Sequence, residues 1–303
     1  MTTHVALIKT ADRADGVRRA IDLLGVNPAR GSRVLLKPNF NSADAAPGST
    51  HPDVLRALAL KLSDLGARSI SVADRSGMGD TRRVMQQKGV FDLADELGFE
   101  TVVFNELDAK AWVIRQSKDY HWPHGYAVPR LLLDAECVVQ TCNLKTHGYG
   151  GNFTLSLKNS VGLAAKTVNG GYDYMHELHS SPYQRYMIAE INAAYSPALI
   201  VIDGVEAFVE GGPDRGKTVK AEVVLAGTDR VAIDAVGVAL LRLFGTTPEV
   251  SRGRIFEQEQ IARALELGLG VASPAQIDIV TGDAASETYA RQIGEVLMQG
   301  EST

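Results

Sequence analysis

The sequence predicts an α/β fold, a mostly parallel sheet with flanking helices. Short apolar runs alternate along nearly the whole chain with stretches whose apolar residues recur at helical spacing. Some runs are unbroken, as in Ala198-Leu199-Ile200-Val201-Ile202, and such runs suit strands covered on both faces. Several runs also open into polar or glycine-rich clusters, and in open α/β sheets ligands bind beyond the carboxyl ends of strands.

The elements follow in order. Val5–Lys9 reads as a strand, and Asp15–Leu24 as a helix with Val17, Ala20, Ile21 and Leu24 on one face. Arg33–Lys37 is a buried strand ended by Pro38, which delivers Lys37, Asn39 and Asn41 into a polar loop. Pro52 suits a first helical turn capped by Thr50 or His51, and that helix runs to about Leu65 and stops at Gly66. Strand Ser69–Asp74 ends in Asp74-Arg75-Ser76-Gly77. One helical stretch, Asp80–Leu97, leads to strand Thr101–Phe104. In the irregular insert Asn105–Tyr126, Trp112-Val113-Ile114 reads as an edge strand and His121–Gly125 as a surface loop.

The densest stretch is Glu136–Leu163. A strand at Cys137-Val138-Val139 breaks into the cluster Thr141–His147, then a turn at Gly148-Tyr149-Gly150-Gly151, then a short helix bearing Lys158 and Asn159. Glycines there let backbone approach a ligand and expose N–H groups. Val168–Tyr174 is flexible and aromatic and precedes Met175-His176-Glu177-Leu178-His179. A helix near Pro182–Tyr195, a strand ending at Ile202-Asp203-Gly204, a turn at Glu210–Gly216 and strand Glu222–Ala226 follow. Asp229 opens the helix Val231–Phe244, and a helix near Gly253–Leu267 is capped by Gly268-Leu269-Gly270. Strand Ile277–Val280 and a helix near Ser286–Gln299 close the chain. The whole of 1–303 reads as a single unit, with a soft lobe boundary near residue 196 where the strand-helix rhythm restarts.

The bulk numbers exclude some classes. A chain of 303 residues, 45% hydrophobic and 22% charged, is ordinary for a globular protein. A formal charge of −5 argues against general nucleic-acid binding. Cys137 and Cys142, the two cysteines, are too few for a built-in iron–sulfur cluster or a cysteine zinc cluster and suit a reduced, cytoplasmic protein. No secretory leader and no apolar run long enough to span a membrane is expected.

Four cations leave separate segments: Lys37, Arg75, Lys145 and Lys158. Brought together, they form a positive pocket in an acidic protein, suited to a carboxylate, phosphate, phenolate or enolate. His147, Lys158 and Lys37 are the candidate catalytic residues, the imidazole because it titrates near neutrality. Asn39, Arg75, Asn143, Lys145 and Asn159 are the candidate substrate-binding residues, with Arg75 suited to a bidentate grip. His176 and His179 share a face if helical, and His176 with Asp203 is the metal candidate. Solvated lysines, a satisfied structural histidine and a capping aspartate are the competing readings. No Gly-x-Ser-x-Gly elbow, P-loop or strand-borne Gly-x-Gly-x-x-Gly is present, which gives no support to a serine hydrolase, a P-loop ATPase or a conventional nicotinamide site.

Lys37-Pro38-Asn39, Lys145-Thr146-His147, Leu157-Lys158-Asn159, His176, Ile202-Asp203-Gly204, Gly211-Gly212-Pro213 and the Gly227-Thr228-Asp229 helix start resemble domain-of-unknown-function family 362 over most of the chain. The resemblance implies no activity. Many members carry a ferredoxin-like cluster domain, for which this chain lacks the cysteines. The order His147, Lys158, His176 is also similar, more faintly, to nickel-pincer lactate racemases. That similarity implies a lysine that holds the pincer, a histidine that ligates nickel, and a racemase-like two-lobed arrangement. The racemase Asp-x-x-Arg and Gly-x-His-Arg-Pro stretches are not evident. The leading expectation is an enzyme acting on a small anionic, phenolic or enolate-forming molecule. A metal- or nickel-pincer-dependent redox or racemase enzyme and a non-catalytic binder of an anionic metabolite are the alternatives. Homo-oligomerisation is left open.

Overall fold

The computed structural model describes residues 2–300. The chain begins with β1 (Thr3–Lys9), α1 (Arg13–Leu24), β2 (Arg33–Lys37), α2 (Pro52–Asp64), β3 (Ser69–Asp74), α3 (Thr81–Gln87), α4 (Val90–Leu97) and β4 (Glu100–Val103). The middle holds β5 (Trp112–Arg115), β6 (Tyr126–Pro129), α5 (Arg130–Leu133), β7 (Cys137–His147), β8 (Asn152–Thr154), α6 (Ser156–Asn159), α7 (Tyr174–Ser180) and α8 (Gln184–Ile191). The last part holds β9 (Leu199–Gly211), β10 (Gly216–Val219), β11 (Val223–Gly227), α9 (Arg230–Leu243), α10 (Pro248–Ser251), α11 (Glu259–Glu266), β12 (Ile277–Val280) and α12 (Ala284–Leu297).

One sheet organises these elements, in the order β12-β1-β11-β9-β7-β2-β3-β4, with β8 added to β7 and β10 to β9. The centre is parallel: β9, β7, β2, β3 and β4 all run the same way, as do β1 and β12. Antiparallel pairing enters where β11 joins β1 and β9, and at the two added strands. The fold is therefore mixed α/β with a large, mostly parallel sheet flanked by helices. The sheet is continuous across residue 196, because β9 pairs with β7 from Val139↔Leu199 onward.

Both faces of the sheet are covered, which is why its central strands read as unbroken apolar runs. Val34, Leu36, Val72 and Val139 pack with Val17, Ile21, Leu55 and Leu58 on one side. On the other side Ile200, Ile202 and Leu225 pack under α9 and α12, while Leu35, Ala73 and Val138 pack under Trp122, Leu178, Met187 and Ile188. Helix caps form where the sequence places them. His51 accepts from the Asp53 N–H ahead of Pro52, and Asp229 accepts from Val231 and Ala232. Gly268, at φ 68°, closes α11 as its N–H donates to Leu265 and that of Leu269 to Ala264.

Several boundaries differ from the sequence reading. The polar cluster Thr141–His147 is strand, not loop: β7 runs on to His147 because β8 turns back and pairs Lys145↔Thr154 and His147↔Asn152. In the same way β9 continues to Gly211, held by β10, so Asp203 lies inside a strand instead of at its end. The stretch Asp80–Leu97 is two helices broken at Gly89, whose φ is 68°. β5 pairs only with β6, in a separate two-stranded sheet. Trp122 is 1% exposed and its indole N–H donates to the Met187 carbonyl, so the His121–Gly125 loop is anchored in the core. No helix among the described residues is long and apolar enough to cross a membrane.

Candidate functional site

A cavity of about 840 Å³ opens beyond the carboxyl ends of β2 and β3 and alongside the extension of β7. Lys37, Asn39, Arg75, Lys145, His147, Lys158, Asn159 and His176 all line it. Asn143 and Asp203 are not among its lining residues.

The floor is built around an ion pair. Lys37, 1% exposed, lies 2.7 Å from Asp74, also 1% exposed. The Lys37 ammonium also donates to the Pro38 carbonyl and, at 3.1 Å, to Asn159 Oδ1. Asp74 in turn accepts from the Phe40 and Arg75 backbone N–H groups. Burial pushes Lys37 down and Asp74 up, while their mutual attraction opposes both shifts. The hydrogen bonds that meet both charges favour the ionised pair against that burial. The close approach needs Gly162: a Cβ there would lie 2.7 Å from both Asp74 Oδ1 and Lys37 Nζ. Lys37 therefore anchors the floor, with its three hydrogen-bonding directions already used.

Arg75 is similarly engaged. Its Nε donates to Ala164 at 2.7 Å, and its terminal nitrogens reach the Ser76 and Val161 carbonyls and the Met175 sulfur. One guanidinium N–H is left over, fewer than a bidentate grip requires. Burial lowers its pKa to about 10, and it contributes positive potential to the cavity. Asn159 accepts from Lys37 and from Asn39 Nδ2 and donates to the Thr141 carbonyl, so it ties β2 to β7. Asn39 Oδ1 is buried and unpartnered. Asn143 donates to the Ser49 carbonyl at 3.4 Å, and its Oδ1 is also buried without a partner.

Lys145 and Lys158 differ in kind. Lys145 is fully buried, and its ammonium donates to the Gly48 and Pro213 carbonyls. Burial, then the nearby Lys158, lowers its pKa to about 7. Lys158 is 6% exposed, and burial followed by the Arg75 charge lowers its pKa to about 8. Among the described residues its amine forms no hydrogen bond or ion pair, and no carboxylate offsets its charge.

Its placement comes from α6. Asp234 of α9 is fully buried and accepts from the Ser156 and Leu157 N–H groups at 2.7 and 2.9 Å, clamping the start of that turn. Burial raises the Asp234 pKa to about 7. From the opposite side Gly151 backbone packs on the lysine stem, since a Cβ there would meet Lys158 Cε at 2.4 Å.

His147 and His179 complete the cavity as neutral imidazoles. Burial, then the charges of Lys158 and Lys145, holds His147 well below its usual pKa. Its Nδ1 accepts from the Tyr149 N–H at 3.2 Å, which leaves the proton on Nε2. His179 is also lowered, first by burial, and its Nδ1 donates to the Met175 carbonyl at 2.6 Å. Its Nε2 is therefore the unprotonated nitrogen. The two rings present opposite chemistry to one cavity, a donor from His147 and a lone pair from His179. The His-x-x-His spacing points to both helix histidines, and both positions are exposed; among the described residues it is the ring of His179, not that of the metal candidate His176, that makes a hydrogen bond. Asp234 was not selected from the sequence. Its signal was one carboxylate inside the apolar helix Val231–Leu241.

The metal candidate fails geometrically. Asp203 accepts from Arg13 Nε at 2.8 Å and from the Val205 N–H, away from the cavity. β9 continues through it and turns its side chain toward α1. No group of three His, Cys, Asp or Glu side chains among the described residues could hold a metal ion. A protein-only metal centre therefore does not fit. A cofactor bringing its own donors asks for less, and Lys158, His176 and His179 line one cavity as an amine and two imidazoles.

These features define a mixed α/β protein with a cationic, histidine-bearing cavity at the strand ends of its parallel centre. The chain belongs to the family described as Domain of unknown function (DUF362), matched over residues 34–239. It is 26% identical over 218 residues to the thylakoid-associated protein sll1697 of Synechocystis sp. (strain ATCC 27184 / PCC 6803 / Kazusa). That match covers 70% of this chain and 64% of the relative, so the chain spans less than two thirds of the relative's length. Among solved structures it is similar to the lactate racemase apoprotein from Thermoanaerobacterium thermosaccharolyticum, with a TM-score of 0.46 and 14% identity, covering 96% of this chain and 85% of that one. A likeness at that level carries no argument about chemistry.

Proposed function

We propose that the chain is an enzyme that binds a small anionic, phenolic or enolate-forming molecule in this cavity and moves a proton on it. One observation carries the reading: Lys158 is a buried cation with no counter-charge among the described residues, beside two neutral imidazoles. A buried cation without a partner is costly, and an anionic ligand would supply the missing charge. Lys158 would stabilise negative charge as it develops on a ligand oxygen. His147 would donate from Nε2 to that oxygen, and His179 would accept a proton through its Nε2 lone pair. Lys37 and Asn159 would hold the floor, Asn39 would offer its free carbonyl oxygen, and Arg75 would add field.

Oxalate is expected to raise the melting temperature of the wild type at pH 7. The shift should shrink as pH rises through about 8, because Lys158 then loses its proton. Lys158→Met should show no shift at either pH. An equal shift in wild type and variant would sink the site assignment. So would full activity in both Lys158→Ala and His147→Ala once a substrate is known. Thermal shifts without turnover across many substrates would favour a binding protein instead.

A second reading rests on the same free amine. A nickel-pincer-type group would be held by Lys158 and ligated by His176 or His179, and it would supply redox or racemase chemistry when bound. Elemental analysis of protein purified without chelator tests this. Activity with no stoichiometric nickel, iron or zinc removes it. We read residues 1–303 as one unit, without nucleic-acid or membrane partners, in a reducing cytoplasmic compartment. The net charge of −5 and the two unpaired, buried thiols support that placement.

A further inference from the structure

Lys158 has a feature that anion binding alone leaves unused. A lysine that serves only as a cation is best kept well hydrated or paired, so that it stays protonated. Lys158 is neither. It is buried, it lacks any acceptor among the described residues, and the Arg75 guanidinium adds repulsion. Its stem is fixed by Gly151 backbone on one side and by the Asp234-clamped turn of α6 on the other. The imidazoles beside it, His147 and His179, are neutral. Lysines desolvated next to another cation act as amine nucleophiles toward carbonyl compounds. The other amine on the cavity wall with a strongly lowered pKa, Lys145, is 0% exposed and tethered to the Gly48 and Pro213 carbonyls, whereas Lys158 keeps 6% exposure and no tether among the described residues, so a substrate in the cavity meets Lys158 first.

We propose that the Lys158 amine forms an imine with an anionic aldehyde or ketone, which names the substrate class as a carbonyl-bearing carboxylate or phosphate. The inference rests on the proposed cationic site and adds a covalent step to it. The lone pair of the neutral amine attacks the carbonyl carbon, and the amine proton passes to the carbonyl oxygen to give a carbinolamine. The carbon–oxygen bond then breaks, the oxygen leaves as water with the second amine proton, and the carbon–nitrogen double bond forms. One amine and one carbonyl become one imine and one water, with no change in oxidation state. Protonated, the imine withdraws electrons from the adjacent carbon, and the lone pair of His179 lies on the same cavity to take the proton released there.

The test is reductive trapping. The purified full chain is incubated with glyoxylate and sodium cyanoborohydride and then mapped by peptide mass spectrometry. Lys158 should gain one reduced adduct about 10-fold faster than the exposed lysines Lys118 and Lys217, because its lowered pKa leaves more free amine near neutrality. The rate should rise with pH through about 8, and oxalate should suppress it at Lys158 alone. Wild-type mapping does not depend on the folding of any variant. Lys158→Met, checked for its melting transition, should leave the surface adducts unchanged. Adducts on surface lysines with Lys158 unmodified would overturn the imine, and if oxalate still stabilises the wild type, the anion site stands without it. If oxalate also fails to stabilise the protein, both readings fall together.

Discussion

Lys158 is placed where a protein designed only for stability would not put a charge. Burial lowers its pKa from 10.5 to about 8, so the folded state holds its proton less tightly than the unfolded chain. The sign follows from that depression. The lysine's contribution is fully present above the unfolded pKa near 10.5 and is lost as pH falls through about 8. At neutral pH the residue is therefore a net cost. Lys158→Met keeps the stem's volume and removes the charge, so it is expected to stabilise the chain by about 1–3 kcal/mol at pH 7. The gain should vanish near pH 10.5. Urea unfolding of both proteins at the two pH values measures it. A destabilised variant at pH 7 would mean that the amine has a partner in the folded protein, and the case for an open anion site would weaken.

At the scale of elements, α6 shows how the site is held and why part of it escaped the sequence. Its first N–H groups end on Asp234, a carboxylate from a helix 78 positions further on. Asp234→Asn leaves one oxygen for two donors, so one buried N–H loses its partner at a cost of about 1–3 kcal/mol. The substitution also has a pH signature. Burial raises the Asp234 pKa to about 7, so its contribution is complete below the unfolded value near 3.8 and is lost as pH rises through about 7. The melting temperature of the wild type relative to Asp234→Asn should therefore fall from pH 4 to pH 7 and flatten above. A constant difference would show that the carboxylate titrates normally. Local pattern made Lys37, Arg75, Lys145, His147 and Lys158 legible, because each follows or extends a strand and the strands of a parallel sheet end on one rim. It misled at Asn143 and Asp203 because strand length depends on partners. β8 and β10, which let β7 and β9 run on, are defined by pairing and not by their own composition. Arg75 and Lys37 were legible as positions only. Whether a cation is free depends on carbonyls from Val161 and Ala164 or a carboxylate from Asp74, which no spacing rule reports. The choice between His176 and His179 turned on the Met175 carbonyl, which fixes one tautomer and nothing on the other ring.

Across the whole molecule, the cavity joins two regions of unequal rigidity. Its floor belongs to β2, β3 and β7, strands paired on both edges and buried on both faces. Its other wall comes from Lys166 to His179, where Lys166, Asn169–Tyr172 and His176 are exposed. Outside the internal bonds of α7, the backbone bonds that tie that wall down among the described residues are Ala165 to Ala127, Gly171 to Val168, Tyr174 to Lys166 and Glu177 to Asp173. Amides exchange through the cheapest opening available to them, so the wall should exchange by local fluctuation and the floor by global unfolding. An anion on Lys158 would bridge the two, since His179 and Met175 of α7 face the same space as Lys158. Hydrogen exchange with saturating oxalate is thus expected to slow the amides of α7 first. Protection of β2 and β3 should change only by the global term, about 2.7 kcal/mol at a hundredfold excess over Kd. Lys158→Met should remove the α7 effect while leaving exchange in β2 and β3 insensitive to oxalate. If oxalate instead slows amides around α12 or β5 and leaves α7 untouched, the anion binds elsewhere and the strand-end cavity is not its site.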